Sequence, residues 1–122
     1  MKLKLPERRR FVRLEVPLVV AAQRPGGVEE MVTKNISPVG FMVEVKDKFE
    51  ESGETSFEVS LPGDGEPVSV KGRVIWQNKI SLEDGAPYEV GIEIIHIEDR
   101  SKNEFLKYLC DLLYESEYRE RS

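Results

Sequence analysis

Cysteine and histidine are almost absent from the sequence, which contains one of each, Cys110 and His96. A disulfide within the chain is therefore excluded, and a zinc site built from cysteine or histidine has too few ligands. Long apolar runs are also missing, since a run such as LVVAA at 18–22 covers only five residues. We expect no bound metal and no membrane insertion.

An export signal is not expected either, because the basic N-terminus MKLKLPERRR has no apolar segment of signal-peptide length behind it. We therefore expect a cytoplasmic protein.

Groupings that could carry catalysis are equally scarce. The many Asp and Glu residues show no paired arrangement for acid–base chemistry, and PGDGEP at 62–67 lacks the lysine and the following helix of a phosphate loop. No serine or thiol motif accompanies His96, which shares a predicted strand face with Ile92 and Ile94 and is expected in the core or at its rim. We expect neither an enzyme nor a cofactor.

The net charge of −5 is unevenly distributed. Residues 1–13 carry six basic side chains against Glu7 alone, a local charge of +5, so the other 109 residues sum to −10. Binding along a nucleic-acid backbone normally uses a long basic stripe, so we do not expect nucleic acid as a ligand. A small, compact anion fits this distribution better.

Six stretches have the pattern of short strands, separated by turn-forming residues. In VSVKGRVIWQ, period-two alternation places Val74 and Trp76 on the buried face, and Gly72 indicates a bend or bulge. We therefore expect Trp76 to pack in the barrel rather than to serve as a stacking platform. Strands at this spacing predict a six-stranded antiparallel barrel. The six stretches are RLEVPLVVAA, MVTKNI, GFMVEV, TSFEVSLP, VSVKGRVIWQ and YEVGIEIIHI.

The period changes to that of a helix in the last part of the chain. Ser101 followed by Glu104 predicts a capping box, and Cys110 is expected to pack or to be partly exposed. The fold class is thus all-β with a C-terminal helix, in one domain over 1–122: a flexible basic arm at 1–10, the barrel at 11–97 and the helix at 98–122. The apolar residues at helical spacing are Phe105, Leu109, Leu112 and Leu113.

Two segments have residues suited to binding an anion. Arg8, Arg9, Arg10 and Arg13 precede the first predicted strand, and a guanidinium matches two phosphate oxygens or the O6 and N7 atoms of guanine. Taken alone, such a charge run is usually solvated surface.

The second segment is NISPVG at 35–40, between two predicted strands. Asn35 and Ser37 offer hydrogen-bonding groups, and Gly40 permits a positive φ or a close approach of the backbone to a ligand. By itself, this segment is an ordinary Asx or Ser turn.

Together and in this order, RRFVR at 9–13 and NISPVG at 35–40 resemble the RRxxR and D/N-x-S-x-x-G motifs of the PilZ domain. KGRVIWQ at 71–77 and VGIEI at 90–94 resemble later strands of that family. The resemblance covers nearly the whole chain. It implies a six-stranded antiparallel barrel with a C-terminal helix, and a bacterial receptor module for cyclic di-GMP.

The resemblance also implies roles for single residues. Arg9, Arg10 and Arg13 would grip phosphates and stack on or bond to guanine, with Asn35, Ser37 and Gly40 forming the opposite wall. Asn35 is within the family pattern but cannot pair ionically with an arginine as aspartate could. Arg8 lies just outside the motif and would add attraction or contact a second ligand molecule.

A signalling mechanism follows from the charges, because four arginines within six residues repel one another until an anion arrives. We expect the arm to be loose when empty and ordered by the ligand, which changes the surface shown to a downstream protein partner. The sequence does not identify that partner.

Two alternatives stay open. One is an adaptor of the same fold that joins proteins and no longer responds to nucleotide. The other is a small barrel for single-stranded nucleic acid, whose arm tracks phosphates while surface aromatics stack on bases. The charge of −10 outside the arm and the few aromatics on the strands disfavour the second.

Overall fold

The computed structural model describes residues 13–50, 53–63 and 65–121, with side chains described up to residue 115. The described strands pair antiparallel into a closed barrel in the order β1-β2-β3-β6-β5-β4, and one helix follows them. The predicted fold class is therefore confirmed, whereas the arm at 1–10 lies outside the described residues. The elements are β1 (Val19–Arg24), β2 (Gly27–Ser37), β3 (Gly40–Val45), β4 (Glu54–Val59), β5 (Val68–Lys79), β6 (Tyr88–Ile97) and α1 (Asp99–Arg121).

Alternating apolar side chains fill the barrel, as the period of two requires. Phe41 and Phe57 meet edge to face at its centre, with ring centroids 5.3 Å apart and an interplanar angle of 88°. Gly72 lies in this interior, where a Cβ atom would stand 2.6 Å from Ile92 Cγ2 and 2.9 Å from Phe57 Cε1. The glycine thus makes room for its neighbours, and the register shifts beside it, between Lys71 and Gly72.

The helix α1 closes against the barrel through Phe105, which is fully buried, and Leu109. It begins at Asp99, and the Ser101 amide donates to the Glu98 carbonyl at 3.0 Å. The prediction of Ser101 as N-cap is therefore wrong, because the first turn starts two residues earlier. Cys110 is exposed. Among the described residues, no helix has the length and apolar character needed to cross a membrane.

Bulges in β5 and β6 change which face of the barrel several side chains occupy. Val74 pairs with Ile92 but Trp76 pairs with Gly91, so Ile75 is an extra residue that turns Trp76 outward. The prediction that Trp76 packs inside the barrel is wrong, since 37% of the residue is exposed. A second shift, between Ile94 and His96 on β6, leaves His96 exposed, so of the two positions expected for it, in the core or at its rim, the core is excluded.

Candidate functional site

The chain that follows the arginine motif is fastened to β2 before it enters β1. Leu14 and Ile36 exchange two backbone hydrogen bonds of 2.9 Å each. Further along, Thr33 Oγ1 donates to the Val16 carbonyl at 2.6 Å and accepts from the Leu18 amide at 2.9 Å. Residues 13–18 are therefore held along β2 by main-chain and side-chain bonds.

This attachment brings together one residue from each of the two segments. The Arg13 guanidinium donates through Nη1 to Asn35 Oδ1 at 3.0 Å, although 22 residues separate them in the chain. Arg13 is exposed and Asn35 is half-buried. The neutral amide that cannot form an ion pair thus still orients the arginine, and it leaves the positive charge of the guanidinium uncompensated.

The turn between β2 and β3 uses Ser37 as an internal brace. Its hydroxyl donates to the Gly40 carbonyl at 3.3 Å and accepts from the Val39 amide at 3.2 Å. The residue is only 1% exposed. In this structure Ser37 shapes the turn beside Asn35 and does not present its hydroxyl to solvent.

Gly40 is required by a close approach of two strands. A Cβ atom at this position would stand 2.5 Å from the Ile92 carbonyl oxygen of β6. Gly40 is not among the glycines with positive φ. The close approach that the structure shows at this glycine is to the neighbouring strand, and the predicted approach to a ligand stays a prediction.

Other cations on the same outer face are already paired with carboxylates. Lys34 Nζ lies 2.9 Å from Glu89 Oε2 and 3.4 Å from Glu44 Oε1. The hydrogen bond to Glu89 raises the pKa of the Lys34 ammonium above its ordinary value of 10.5. Arg73 lies between Glu54 and Glu93, at 3.9 Å from each.

Arg13 differs from these cations, because no carboxylate of the described residues lies within ion-pair distance of it. An incoming anion would meet this guanidinium without having to displace a carboxylate. Arg8, Arg9 and Arg10 lie outside the described residues, so of the arginine motif only Arg13 has a described position.

Thr33 and the Leu14–Ile36 bridge were not identified from the sequence as parts of the site. A signal was present for Thr33, because a threonine that alternates with Met31 on the buried face of a strand must find partners for its hydroxyl. The described residues contain no group of three or more His, Cys, Asp or Glu side chains that could hold a metal ion.

These features define a class of protein: a small β-barrel whose arginine-bearing N-terminal segment is fastened beside the β2–β3 turn. The sequence matches the PilZ domain family over residues 7–110. The chain belongs to the PilZ domain family. A comparison with curated proteins finds no match.

Solved structures of low sequence identity have the same fold. Bacillus subtilis inhibitor of motility, MotI/DgrA, is 19% identical with a TM-score of 0.71, over 88% of this chain and 52% of that one. The PilZ domain of YcgR from Escherichia coli, solved with c-di-GMP, is 12% identical with a TM-score of 0.65, over 94% and 98%. The K. pneumonia MrkH–c-di-GMP complex is 15% identical with a TM-score of 0.69, over 92% and 55%. Apart from the isolated YcgR domain, this chain spans about half the length of these relatives.

Proposed function

We propose that this domain is a receptor for cyclic di-GMP and that it acts by binding rather than by catalysis. The observation that carries the proposal is the 3.0 Å hydrogen bond from Arg13 to Asn35, which joins the end of one sequence motif to the start of the other. Family membership and the c-di-GMP complexes of YcgR and MrkH support the same ligand.

Arg13 binds a ligand phosphate or the Hoogsteen edge of a guanine, since its fork matches either pair of acceptors. Asn35 holds the guanidinium in place and offers its own amide group to the ligand. Arg9 and Arg10 supply the remaining contacts of the arginine motif, and Arg8 adds long-range attraction. These three arginines come to the ligand from the N-terminal side of the Leu14–Ile36 bridge.

Ser37 and Gly40 take a different part from the direct contacts that the family resemblance implies. The Ser37 hydroxyl is engaged within the turn, and Gly40 lets β3 lie close to β6. Both residues therefore position Asn35 and the turn amides, so that the second motif acts mainly through the shape of its backbone.

Ligand binding also fixes the basic segment against the barrel, because bound phosphates remove the repulsion among its arginines. The changed surface is then recognised by a downstream protein. A protein adaptor that ignores nucleotide is the second candidate, and the internal use of Ser37 favours it, since the turn motif then has a structural reason to exist.

Calorimetric titration with cyclic di-GMP distinguishes these two functions. Saturable binding by the wild-type domain, absent with GTP, is the expected result. Arg13→Ala should weaken binding about ten- to a hundredfold, the cost of roughly 1.5–3 kcal/mol for one charge-assisted contact. Arg100→Ala is the matched control, because Arg100 is an exposed arginine at the start of α1 that pairs with Glu66 and Glu98.

If Arg13→Ala binds cyclic di-GMP with the same affinity as the wild-type domain, Arg13 is not part of the binding site. No heat from the wild-type domain at high ligand concentration would reject the receptor function and leave the adaptor.

A further inference from the structure

The second half of β5 has a strand partner on only one of its two sides. β4 pairs with the first half, up to the pair of Glu54 with Arg73. β6 continues along β5 to the pair of Lys79 with Tyr88. In the part of the chain that the structure describes, no strand pairs with the β4 side of residues 74–79. We call this stretch the open edge of β5.

Backbone groups at every second residue of the open edge point away from β6. The Ile80 amide donates to the Pro87 carbonyl at 2.9 Å, which fixes the phase of the β5–β6 ladder. Because hydrogen-bonded and non-hydrogen-bonded pairs alternate along antiparallel strands, the amide and carbonyl of Asn78 face β6, and those of Gln77 and Lys79 face the open side. No described residue bonds to the main chain of Gln77 or Lys79 on this side, and Gln77 reaches the β3–β4 loop through its side-chain amide instead. Unpaired groups of this kind are a template for a further strand.

Space and exposed apolar side chains accompany the open edge. A cavity of about 300 Å³, lined by Lys48, Tyr88 and residues 74–77, lies beside its first half. Ile75 is 53% exposed, and beyond the edge Leu82 in the β5–β6 loop is 99% exposed. Covering these side chains would remove apolar surface from water, which favours association with a partner.

Charges at the two ends of the open edge have opposite signs. Lys48 and Arg73 are basic and lie at its start. Glu83 and Asp84 are acidic and follow Leu82 beyond its end. All four charged residues are exposed. A second copy of the strand, running in the opposite direction, therefore brings the acidic end of each copy to the basic start of the other.

We propose that the open edge of β5 pairs with the same edge of a second copy of this chain, antiparallel and about a two-fold axis. One edge serves both partners in such a pairing, because a strand that runs antiparallel to its own copy is self-complementary. An axis at Asn78 sets Gln77 of one copy opposite Lys79 of the other, so that the outward backbone groups of both exchange hydrogen bonds. The same register carries Leu82 to the cavity of the other copy, and the acidic residues after it to Lys48.

The mass of the free domain in solution tests the pairing directly. Light scattering across micromolar to millimolar concentrations should show the mass rising from the 14.0 kDa of one chain towards twice that value. Leu82→Asp puts an unpaired charge into the apolar contact and should raise the dissociation constant of the dimer about tenfold or more. Val28→Asp is the matched control and should leave the dimer unchanged, because Val28 is 63% exposed on β2, which lies opposite β5 in the barrel order.

Lys79→Pro tests the strand pairing itself. Proline removes the amide that faces the open side and keeps the bonds between β5 and β6, so the barrel should fold while the dimer weakens about tenfold or more. Lys79→Ala keeps this amide and should dimerise like the wild type.

A charge exchange between the two ends tests the direction of the pairing. Lys48→Glu and Glu83→Lys each set like charges together and should weaken the dimer on their own. When the two variants are mixed in equal amounts, they should form a heterodimer about as tight as the wild-type dimer, because both of its contacts again join opposite charges.

Wild-type protein that stays a monomer at millimolar concentration would reject a second copy as the occupant of the open edge. A dimer with the same dissociation constant in Leu82→Asp and Lys79→Pro as in the wild type would place the interface elsewhere and equally overturn the proposal. Circular dichroism shows whether each variant keeps the barrel, and the charge exchange decides the matter if Lys79→Pro does not fold. None of these measurements uses cyclic di-GMP, so their outcome is independent of the receptor function.

Discussion

Thr33 is the side chain on which the attachment of residues 13–18 depends most directly, and its replacement by valine tests that attachment. Valine keeps the shape of threonine but removes the hydroxyl. The Leu18 amide then loses its acceptor at 2.9 Å, and the Val16 carbonyl loses its donor at 2.6 Å. Thr33 is 4% exposed and Leu18 is 3% exposed, so water cannot readily replace the first bond.

The magnitude follows from the two bonds. An unpaired buried amide costs about 1–3 kcal/mol, and loss of the half-buried bond to Val16 costs about 0.5–1.5 kcal/mol. The slightly better strand propensity of valine offsets a few tenths of a kcal/mol at most. We expect Thr33→Val to lower the free energy of unfolding by about 1–4 kcal/mol.

Urea unfolding followed by circular dichroism measures this change, and hydrogen exchange of the Leu18 amide locates it. Thr33→Ser keeps the hydroxyl and should cost about 1 kcal/mol or less, the value of one methyl group. Thr55→Val is a second control, because the half-buried Thr55 of β4 makes no side-chain hydrogen bond to any residue that the structure describes. A change below about 0.5 kcal/mol in Thr33→Val, with the Leu18 amide still protected, would refute the reasoning.

Two further substitutions test how the barrel is closed. Gly40→Ala places a methyl 2.5 Å from the Ile92 carbonyl oxygen, so β3 and β6 must separate. We expect a loss of about 1–3 kcal/mol in the free energy of unfolding, measured in urea, and weaker cyclic di-GMP binding. Gly26→Ala should be neutral for both, because a Cβ atom there would have no described atom beyond its chain neighbours within 4 Å. Arg24→Met removes the ion pair of Arg24 with Glu29 at 3.3 Å and the hydrogen bond to the Asp47 carbonyl, while the methionine can still cover Phe49. We expect the free energy of unfolding to fall by about 1.5–3 kcal/mol, against less than about 1 kcal/mol for Arg73→Met, which removes an exposed arginine. Equal effects of the two substitutions would contradict a stabilising role for the burial of Arg24.

The barrel could be predicted from the sequence because its signal is local. Period-two alternation appears within each strand, as in Phe57 and Val59, and turn residues separate one strand from the next. The first predicted strand, RLEVPLVVAA, was correct only in its second half, because β1 begins at Val19 and Leu14 makes a separate bridge to Ile36. Local alternation cannot tell a continuous strand from a fastened segment that precedes one.

The candidate site was predicted only in part, and the reason differs from residue to residue. The family resemblance implied that Arg13 and Asn35 lie on opposite walls of one site, but their direct hydrogen bond joins residues 22 apart and no local pattern contains it. For Ser37, the ordinary interpretation as a Ser turn describes what its hydroxyl does in this structure. For Arg9 and Arg10, the predicted contacts stay predictions.

Trp76 shows why an outward aromatic could not be recognised in advance. Whether a strand contains a bulge depends on its register with the partner strand, and the sequence of β5 alone does not contain its register with β6. Once Gly91 is known to lie opposite Trp76, the outward position of the tryptophan is explained, because a glycine without a side chain leaves room for the indole ring against the strand. The bulge at Ile75 that made the interior prediction wrong therefore places Trp76 on the outer face, with its five-membered ring over Gly91.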